Sequence, residues 1–127
     1  MKNGAVEITL IGQTVNSFGL ARSDKGKFTE AQNNPGNHPF TGLLRKLDTL
    51  HELGLRRLRF TSPYAPDVTD EMIEAMATLR TLMPYIHLPI QSGDNRTLKR
   101  MNRKYTVEFY GELIKKIRKR IPDIAIS

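Results

Sequence analysis

Short runs of β-branched and aliphatic residues alternate along the chain with apolar residues repeated at helical spacing. Each short run is followed by polar residues or by glycine, which is typical of a buried strand that ends in a turn. The sequence therefore predicts four strands, at Glu7–Ile11, Leu58–Thr61, Tyr85–Ile90 and Ile124–Ser127. Because helical segments separate these strands, we expect parallel crossover connections and an α/β fold.

Two amphipathic helices are predicted before the third strand. Apolar residues recur at helical spacing from Phe40 to Leu53, and Gly54 follows where a C-cap is expected. A second helix begins after Thr69, a favourable N-cap, and its apolar face runs from Met72 to Met83. Pro84 is expected to end this helix, because proline cannot donate the helical hydrogen bond.

Two further helices are predicted between the third and fourth strands. A short helix runs from about Asn95 to Met101, with Asp94 as its N-cap. A longer helix has one apolar stripe from Val107 to Ile121, and the basic residues between Lys115 and Arg120 occupy its exposed side. Both lie where crossover connections of a parallel sheet are expected.

The segment from about Gly19 to His38 interrupts this alternation. It is rich in glycine, asparagine, lysine and serine and has no apolar period, so it is predicted to be a long loop insertion. The fourth predicted strand reaches the last residue, whereas a parallel sheet needs further strands or layers to cover it. We therefore expect residues 1–127 to be part of a larger structure.

The composition excludes several classes of site. The 127 residues contain no cysteine, which excludes disulfides, thiolate zinc sites and an iron–sulfur cluster held by this chain alone. No apolar run approaches the length that crosses a bilayer, and the N-terminal residues lack the apolar core of a signal peptide. We therefore expect a cytoplasmic location and no membrane contact.

A surplus of basic residues points to a partner. The formal net charge is +7 and the sequence pI is about 9.9, which suits a polyanion such as nucleic acid. A solvated surface that only favours solubility is the alternative. One basic cluster follows the end of the third predicted strand, where it could meet phosphate, and it comprises Arg96, Lys99, Arg100, Arg103 and Lys104.

Neutral polar side chains follow each of the first three strands. The carboxyl ends of parallel strands meet at one edge of a sheet, where α/β folds bind their ligands. Amide and hydroxyl groups suit a polar cofactor, whereas the carboxylate pairs or Ser/His/Asp spacing of a hydrolase are lacking. Ordinary polar turns are the alternative. The residues concerned are Gln13, Thr14, Asn16, Ser17, Thr61, Ser62, Tyr64, Gln91, Ser92, Asp94 and Asn95.

His87 lies inside the third predicted strand, among apolar residues. We interpret it as an interior histidine with a hydrogen-bond partner, because no second histidine lies at the spacing of a metal site. The sequence therefore predicts no metal site and no catalytic side chain.

Three segments resemble the radical-SAM methylthiotransferase family. Residues 7–19 (EITLIGQTVNSFG) resemble its LLGQNVNSYG segment, residues 87–94 (HLPIQSGD) its HLPVQSGSD, and residues 98–106 (LKRMNRKYT) its LKRMNRxYT. Together, GQxVN and HLPxQSG are most similar to the branch that modifies isopentenyl-adenosine beside the anticodon of tRNA. The branches acting on threonylcarbamoyl-adenosine or on a ribosomal-protein aspartate are the alternatives.

The resemblance implies that the chain is the central part of a TIM-like barrel of parallel strands with outer helices. It also implies an enzyme that adds a methylthio group to tRNA, with S-adenosylmethionine and 4Fe–4S clusters as cofactors. Carried onto this sequence, it implies that Gln13 binds the methionine part of the cofactor, and that Gln91 and Ser92 bind the nucleoside part. Further candidates implied by it are Ser62 for the cofactor and Asn16 and Arg103 for the cofactor or tRNA.

Several parts of the family pattern do not occur in these residues. The CxxxCxxC cluster loop is expected before Met1, a TDxxVGFPGET stretch after Ser127, and an N-terminal cluster domain and a C-terminal TRAM domain beyond them. Tyr64 stands where the family often has histidine. Without cluster cysteines we expect this chain alone to be inactive and to need the rest of the enzyme. Two alternatives remain, a non-catalytic basic module that binds tRNA and a piece whose unpaired sheet edges prevent stable folding.

Overall fold

The computed structural model describes residues 4–20 and 38–127, so most of the predicted loop insertion, residues 21–37, lies outside the described residues. The strands are β1 (Glu7–Leu10), β2 (Arg57–Phe60), β3 (Tyr85–Ile86) and β4 (Ala125–Ile126). All four predicted strands are present, which confirms the α/β class. The helices lie between the strands in sequence, as the crossover pattern requires.

The strands pair in parallel. β1 lies against β2 with Glu7 opposite Arg57, and β3 lies against β4 with Tyr85 opposite Ala125. A single parallel bridge between Leu58 and Leu82 joins β2 to the segment that leads into β3. The strands therefore follow one another in space in the order in which they occur along the chain.

The third strand is shorter than the predicted Tyr85–Ile90. Leu88 still donates its amide hydrogen to the carbonyl of Ser127 at 2.7 Å. The next residue, Pro89, has no N–H to donate to a neighbouring strand. The Tyr110 hydroxyl donates to the carbonyl of Leu88, and the Tyr105 hydroxyl donates to the carbonyl of Ile90. Side chains from the following helical region thus replace strand pairing beyond Leu88.

The helices are α1 (Pro39–Asp48), α2 (Asp70–Thr78), α3 (Asn95–Arg100) and α4 (Val107–Arg120). The predicted N-caps are confirmed, because Thr69 accepts a hydrogen bond from Met72 N and Asp94 accepts one from Thr97 N. Gly54 ends the first helical region with φ of 97°, as predicted, but Thr49–Leu53 forms a 3₁₀ helix and not α-helix. Short 3₁₀ turns follow β1 at Val15–Ser17 and β2 at Ala65–Asp67.

The prediction that the second helix continues to Met83 and ends at Pro84 is wrong. Leu79 adopts an extended conformation with ψ of 136° after its amide has closed the last helical bond to Ala75. The extended segment brings Leu82 into the bridge with Leu58 of β2. Pairing with the sheet therefore ends the helix before the proline does.

The hydrophobic core lies between one face of the sheet and the helices. Leu58 of β2 is fully buried, and the residues that pack around it with 0 % exposure include Phe40, Leu44, Met72, Ile86 and Ile117. The alternate positions of β1 and β2 belong to the other face. There Glu7 pairs with Arg57 and with Arg59, and all three side chains are partly exposed. The described helices thus cover one face of this sheet, and polar residues occupy the other.

Asp48, the last residue of α1, links this helix to the segment before β3 through hydrogen bonds. Its Oδ1 accepts hydrogen bonds from Thr81 N at 2.8 Å and Thr81 Oγ1 at 2.7 Å, and its Oδ2 accepts from Arg80 N at 3.3 Å. Burial raises the pKa of Asp48, but the hydrogen bonds from Thr81 and Arg80 outweigh it, so the net pKa is lowered. The folded protein therefore favours the ionised carboxylate.

We expect Asp48→Asn to lower the free energy of unfolding at pH 7 by about 1–3 kcal/mol, since charge-assisted bonds are lost. A lowered folded pKa gives stability that is present above the unfolded value of about 3.9 and is lost as the pH falls through the folded value. Urea unfolding between pH 7 and pH 2 checks both points. Glu112→Gln, which removes an exposed carboxylate, is the control, and equal acid profiles for Asp48→Asn and the unmodified chain would contradict the expectation.

Candidate functional site

A cleft of about 270 Å³ opens at the edge of the sheet where the strands end. Its walls come from the segments after β1, β2 and β3 and from the loop after α3. This is the edge at which parallel α/β folds bind their ligands. The lining residues are Gln13, Thr14, Ser62, Pro63, Tyr64, Ala65, His87, Pro89, Gln91, Arg103 and Tyr105.

Four of the six candidate site residues from the sequence meet in this cleft. Gln13, Ser62 and Gln91 each follow a different strand, and Arg103 follows α3. The expectation that the three strand ends contribute to one site agrees with this placement. The functional role of these side chains remains a prediction.

Ser92 lies next to the cleft but does not line it. Its hydroxyl accepts a hydrogen bond from Asp94 N at 3.2 Å, in the turn that leads into α3. The predicted contact between Ser92 and a nucleoside therefore stays a prediction.

Asn16 lies beneath the cleft wall with 0 % exposure. Its Nδ2 donates to the carbonyl of Tyr64 at 3.0 Å, and its Oδ1 accepts from Tyr64 N at 2.7 Å. The neighbouring Ser17 hydroxyl donates to Asp67, so the turn after β1 is held to the turn after β2. This differs from the expectation that Asn16 faces cofactor or RNA, because both polar atoms of its amide already bind the backbone.

The backbone is strained at two of the cleft residues. Ser62 has φ of 56° and Gln91 has φ of 71°, in the left-handed region that residues with a Cβ rarely adopt. Such residues cost of order 1–3 kcal/mol each and concentrate at functional sites. Both follow strands and both line the cleft. The strain is therefore located where a ligand would be bound.

Two tyrosines form an aromatic wall. The rings of Tyr64 and Tyr105 meet edge to face with their centroids 6.0 Å apart. The hydroxyl of Tyr105 donates to the carbonyl of Ile90 at 3.1 Å, and burial raises its pKa, so it stays a neutral donor. The Tyr64 hydroxyl accepts from Lys104 N at 3.4 Å. Tyr105 was not among the residues predicted from the sequence, since nothing in the pattern shows that its loop folds back onto the strand ends.

His87 also lines the cleft and is half-buried. Its Nδ1 lies 3.0 Å from the hydroxyl oxygen of Ser127, which lies 2.8 Å from the hydroxyl of Tyr85. The sequence predicted a hydrogen-bonded interior histidine, and the partner is present. Its position in the cleft wall was missed, because the strand was expected to continue past it.

The charge in the cleft is positive. Arg103 is the cationic side chain among the described lining residues, its Nε is buried without a partner in the described residues, and no carboxylate lines the cleft there. Amide, hydroxyl and guanidinium groups together can bind a polar ligand that carries a carboxylate. Within residues 4–20 and 38–127, no cluster of three or more potential ligands could hold a metal ion, and no helix could span a membrane.

Comparisons with known proteins agree with the resemblance seen in the motifs. Residues 40–127 match the model of the Radical SAM superfamily. The chain is 42% identical over 125 residues to tRNA-2-methylthio-N(6)-dimethylallyladenosine synthase of Acidothermus cellulolyticus, which covers 98% of this chain and 22% of that protein. It is 44% identical over 127 residues to the synthase of the same name from Ruegeria sp. (strain TM1040), which covers 100% of this chain and 26% of that protein.

A third relative is similar to the same degree. It is the synthase of the same name from Caldicellulosiruptor saccharolyticus, 42% identical over 125 residues that make up 98% of this chain and 24% of that protein. The chain thus spans about a quarter of the length of the curated relatives that it matches.

Proposed function

Since the family model matches more than half of its residues, the chain belongs to the Radical SAM superfamily, and we propose that it forms the S-adenosylmethionine-binding part of a tRNA methylthiotransferase. The proposed enzyme acts in the cytoplasm and adds a methylthio group to isopentenyl-adenosine beside the anticodon. The convergence of Gln13, Ser62 and Gln91 in one cleft carries the proposal. The relatives named above support the choice of reaction.

The side chains of the cleft fit the groups of the cofactor. Gln13 and Arg103 offer an amide and a guanidinium to the methionine end, where a carboxylate needs donors. Ser62 and Gln91 offer a hydroxyl and an amide to the nucleoside end. When bound, S-adenosylmethionine supplies the radical that starts the reaction. The residues of this chain bind and orient it.

The residues present do not fit the iron–sulfur cluster. A 4Fe–4S cluster is held by cysteine thiolates, and none of the 127 residues is cysteine. These residues therefore give the cluster no ligand. The part proposed for this chain is limited to binding the cofactor and the tRNA.

The strand arrangement supports a barrel. Consecutive parallel strands lie side by side, and the described helices cover one face of the β1–β2 pair. In a closed barrel the other face becomes the interior, where Glu7, Arg57 and Arg59 would then lie. We propose that the chain is a run of consecutive βα units of such a barrel.

A second candidate function is a non-catalytic basic module that binds tRNA. The lack of cysteine together with the net charge of +7 favours it. Calorimetric titration with S-adenosylmethionine separates the two functions. If the chain binds tRNA but not S-adenosylmethionine, the cofactor-binding function is excluded and the non-catalytic tRNA-binding module remains.

Gln91 provides a test of the cleft that separates binding from stability. We expect Gln91→Ala and Gln91→Gly each to weaken S-adenosylmethionine binding at least tenfold, because both remove the amide. Gln91→Gly relieves the backbone with φ of 71°, so it is expected to gain about 1 kcal/mol of stability over Gln91→Ala. Calorimetry and thermal unfolding measure the two effects.

The control for this test is Asn102→Gly. Asn102 also has a positive φ, of 57°, but it is exposed and does not line the cleft. We expect this variant to bind S-adenosylmethionine as the unmodified chain does. Unchanged affinity in both Gln91 variants, or no binding by the unmodified chain, would contradict the proposed function.

A further inference from the structure

We propose that the rim of the cleft after β3 is the surface that binds the RNA backbone, and that the basic side of α4 is not. We define the rim by its four basic residues outside the cleft, which are Arg96, Lys99, Arg100 and Lys104. This inference rests on the proposed function, since it takes tRNA as the partner. It goes further by choosing between two basic surfaces of similar composition.

The rim adjoins the cleft directly. Arg103 and Tyr105 line the cleft, and Lys104 lies between them with its amide bonded to the Tyr64 hydroxyl. Lys99 and Arg100 occupy the last turn of α3, which ends just before this loop. A base that enters the cleft would bring its own phosphates across these side chains.

The positive charge of the rim has little compensation. Between residues 92 and 106 the sole acid is Asp94. Its carboxylate caps α3 through Thr97 N at 2.9 Å, and Arg96 lies 3.7 Å from it. Lys99, Arg100 and Lys104 are exposed, and none of them forms an ion pair with a carboxylate in the part of the chain that the structure describes.

The basic side of α4 is different, because acids neutralise much of it. Lys116 pairs with Asp70, and Arg120 donates two hydrogen bonds to Glu74 at 2.7 and 2.8 Å. Both acids belong to α2, so these ion pairs link α4 to α2. Lys115 pairs with Glu112 of its own helix at 2.7 Å.

The position of α4 also separates its basic residues from the cleft. A crossover helix runs antiparallel to the strands, so its C-terminal end lies at the edge where the strands begin. Arg118, Lys119 and Arg120 end α4 shortly before β4 starts at Ala125. They therefore lie at the opposite edge of the sheet from the cleft.

The physical argument for RNA is the release of counterions. Unpaired Lys and Arg side chains that displace cations from phosphates make binding strongly dependent on salt. Cations already paired with carboxylates contribute less, because those pairs must first be broken. The rim supplies unpaired cations beside the site of the proposed chemistry, whereas Arg118 and Lys119, the cations of α4 without an ion pair in the described residues, lie at the opposite edge of the sheet.

Two triple variants with the same change of charge test the inference. The rim variant is Lys99→Glu, Arg100→Glu and Lys104→Glu, and the control is Lys115→Glu, Arg118→Glu and Lys119→Glu on α4. Binding of an anticodon stem-loop RNA to the full 127-residue chain is followed by fluorescence anisotropy between about 50 and 200 mM salt. Thermal unfolding shows that each variant is folded.

We expect the rim variant to bind at least 30-fold more weakly, with a salt slope reduced by about two to three. The α4 variant is expected to lose less than about fivefold through the general change of net charge.

Equal losses in the two triple variants would overturn the assignment of the surface. So would a rim variant that loses binding to phosphatidylserine vesicles but keeps its affinity for RNA, since the partner would then be a membrane. Failure of the unmodified chain to bind RNA at all is a different result, which removes the proposed tRNA function and this inference with it. Calorimetry with S-adenosylmethionine tests the cofactor cleft independently of both.

Discussion

Asn16→Ala is expected to lower the free energy of unfolding by about 2–4 kcal/mol, because it leaves the Tyr64 N–H without a partner and removes one of the two hydrogen bonds to the Tyr64 carbonyl. The amide of Asn16 accepts from Tyr64 N at 2.7 Å and donates at 3.0 Å to the Tyr64 carbonyl, which also accepts from Asp67 N at 2.9 Å. Alanine removes both bonds at a position with 0 % exposure, where water cannot easily replace them. Urea unfolding at neutral pH measures the loss.

The same variant is expected to weaken the binding of S-adenosylmethionine at temperatures where it remains folded. Tyr64 lines the cleft, and the two bonds from Asn16 fix its backbone relative to the segment that carries Gln13. A cleft wall that moves by about 1 Å loses much of its fit to a ligand. Calorimetric titration below the unfolding transition checks this part of the expectation.

Asn95→Ala is the matched control for Asn16. Asn95 also accepts from a backbone N–H, that of Val107 at 2.8 Å, and donates to Glu108, but it is exposed. Water can replace these bonds, so we expect a loss below about 1 kcal/mol. Similar losses for the two asparagines would show that the bonds between the turns after β1 and β2 do not matter more than a surface contact.

Phe40→Ala is expected to be the most destabilising single change, with a loss of about 3–5 kcal/mol. Phe40 lies in the first turn of α1 with 0 % exposure. Its ring meets Phe60 of β2 edge to face, with centroids 5.5 Å apart. The variant leaves a cavity between α1 and the sheet and removes this aromatic pair.

Phe109→Ala removes the same side chain from an exposed position and serves as the control. Phe109 lies on α4 and is 44% exposed. We expect a loss below about 1 kcal/mol from this variant, because little apolar area returns to water. Denaturant unfolding compares the two phenylalanines directly. A loss for Phe40→Ala no larger than for Phe109→Ala would mean that α1 contributes little to the core.

The sequence predicted most of the residues that line the cleft because of one regularity of parallel sheets and one resemblance. Parallel strands place their carboxyl ends at one edge, so the residues that follow each strand meet there. Gln13, Ser62 and Gln91 were found in this way, and the resemblance to a known family selected the same three. Arg103 was selected from the resemblance and from its place after the third strand.

The other lining residues could not be found from the pattern. His87 lines the cleft because Pro89 and two tyrosine hydroxyls end the third strand early. Tyr105 reaches the cleft because the loop after α3 returns to the strand ends, where its hydroxyl bonds Ile90. Such contacts join residues far apart in sequence, and no local period records them.

The sequence by itself determined the α/β class, the order of strands and helices, the N-caps at Thr69 and Asp94 and the family. These properties depend on the local repeat of apolar residues, on capping side chains and on short motifs, all of which can be read within a few turns. Only the tertiary structure decided that α2 ends at Thr78, that Asn16 supports the wall, and that Ser62 and Gln91 adopt positive φ. Each of these is set by partners distant in sequence, since a backbone group or a strained residue takes its conformation from the contacts that surround it.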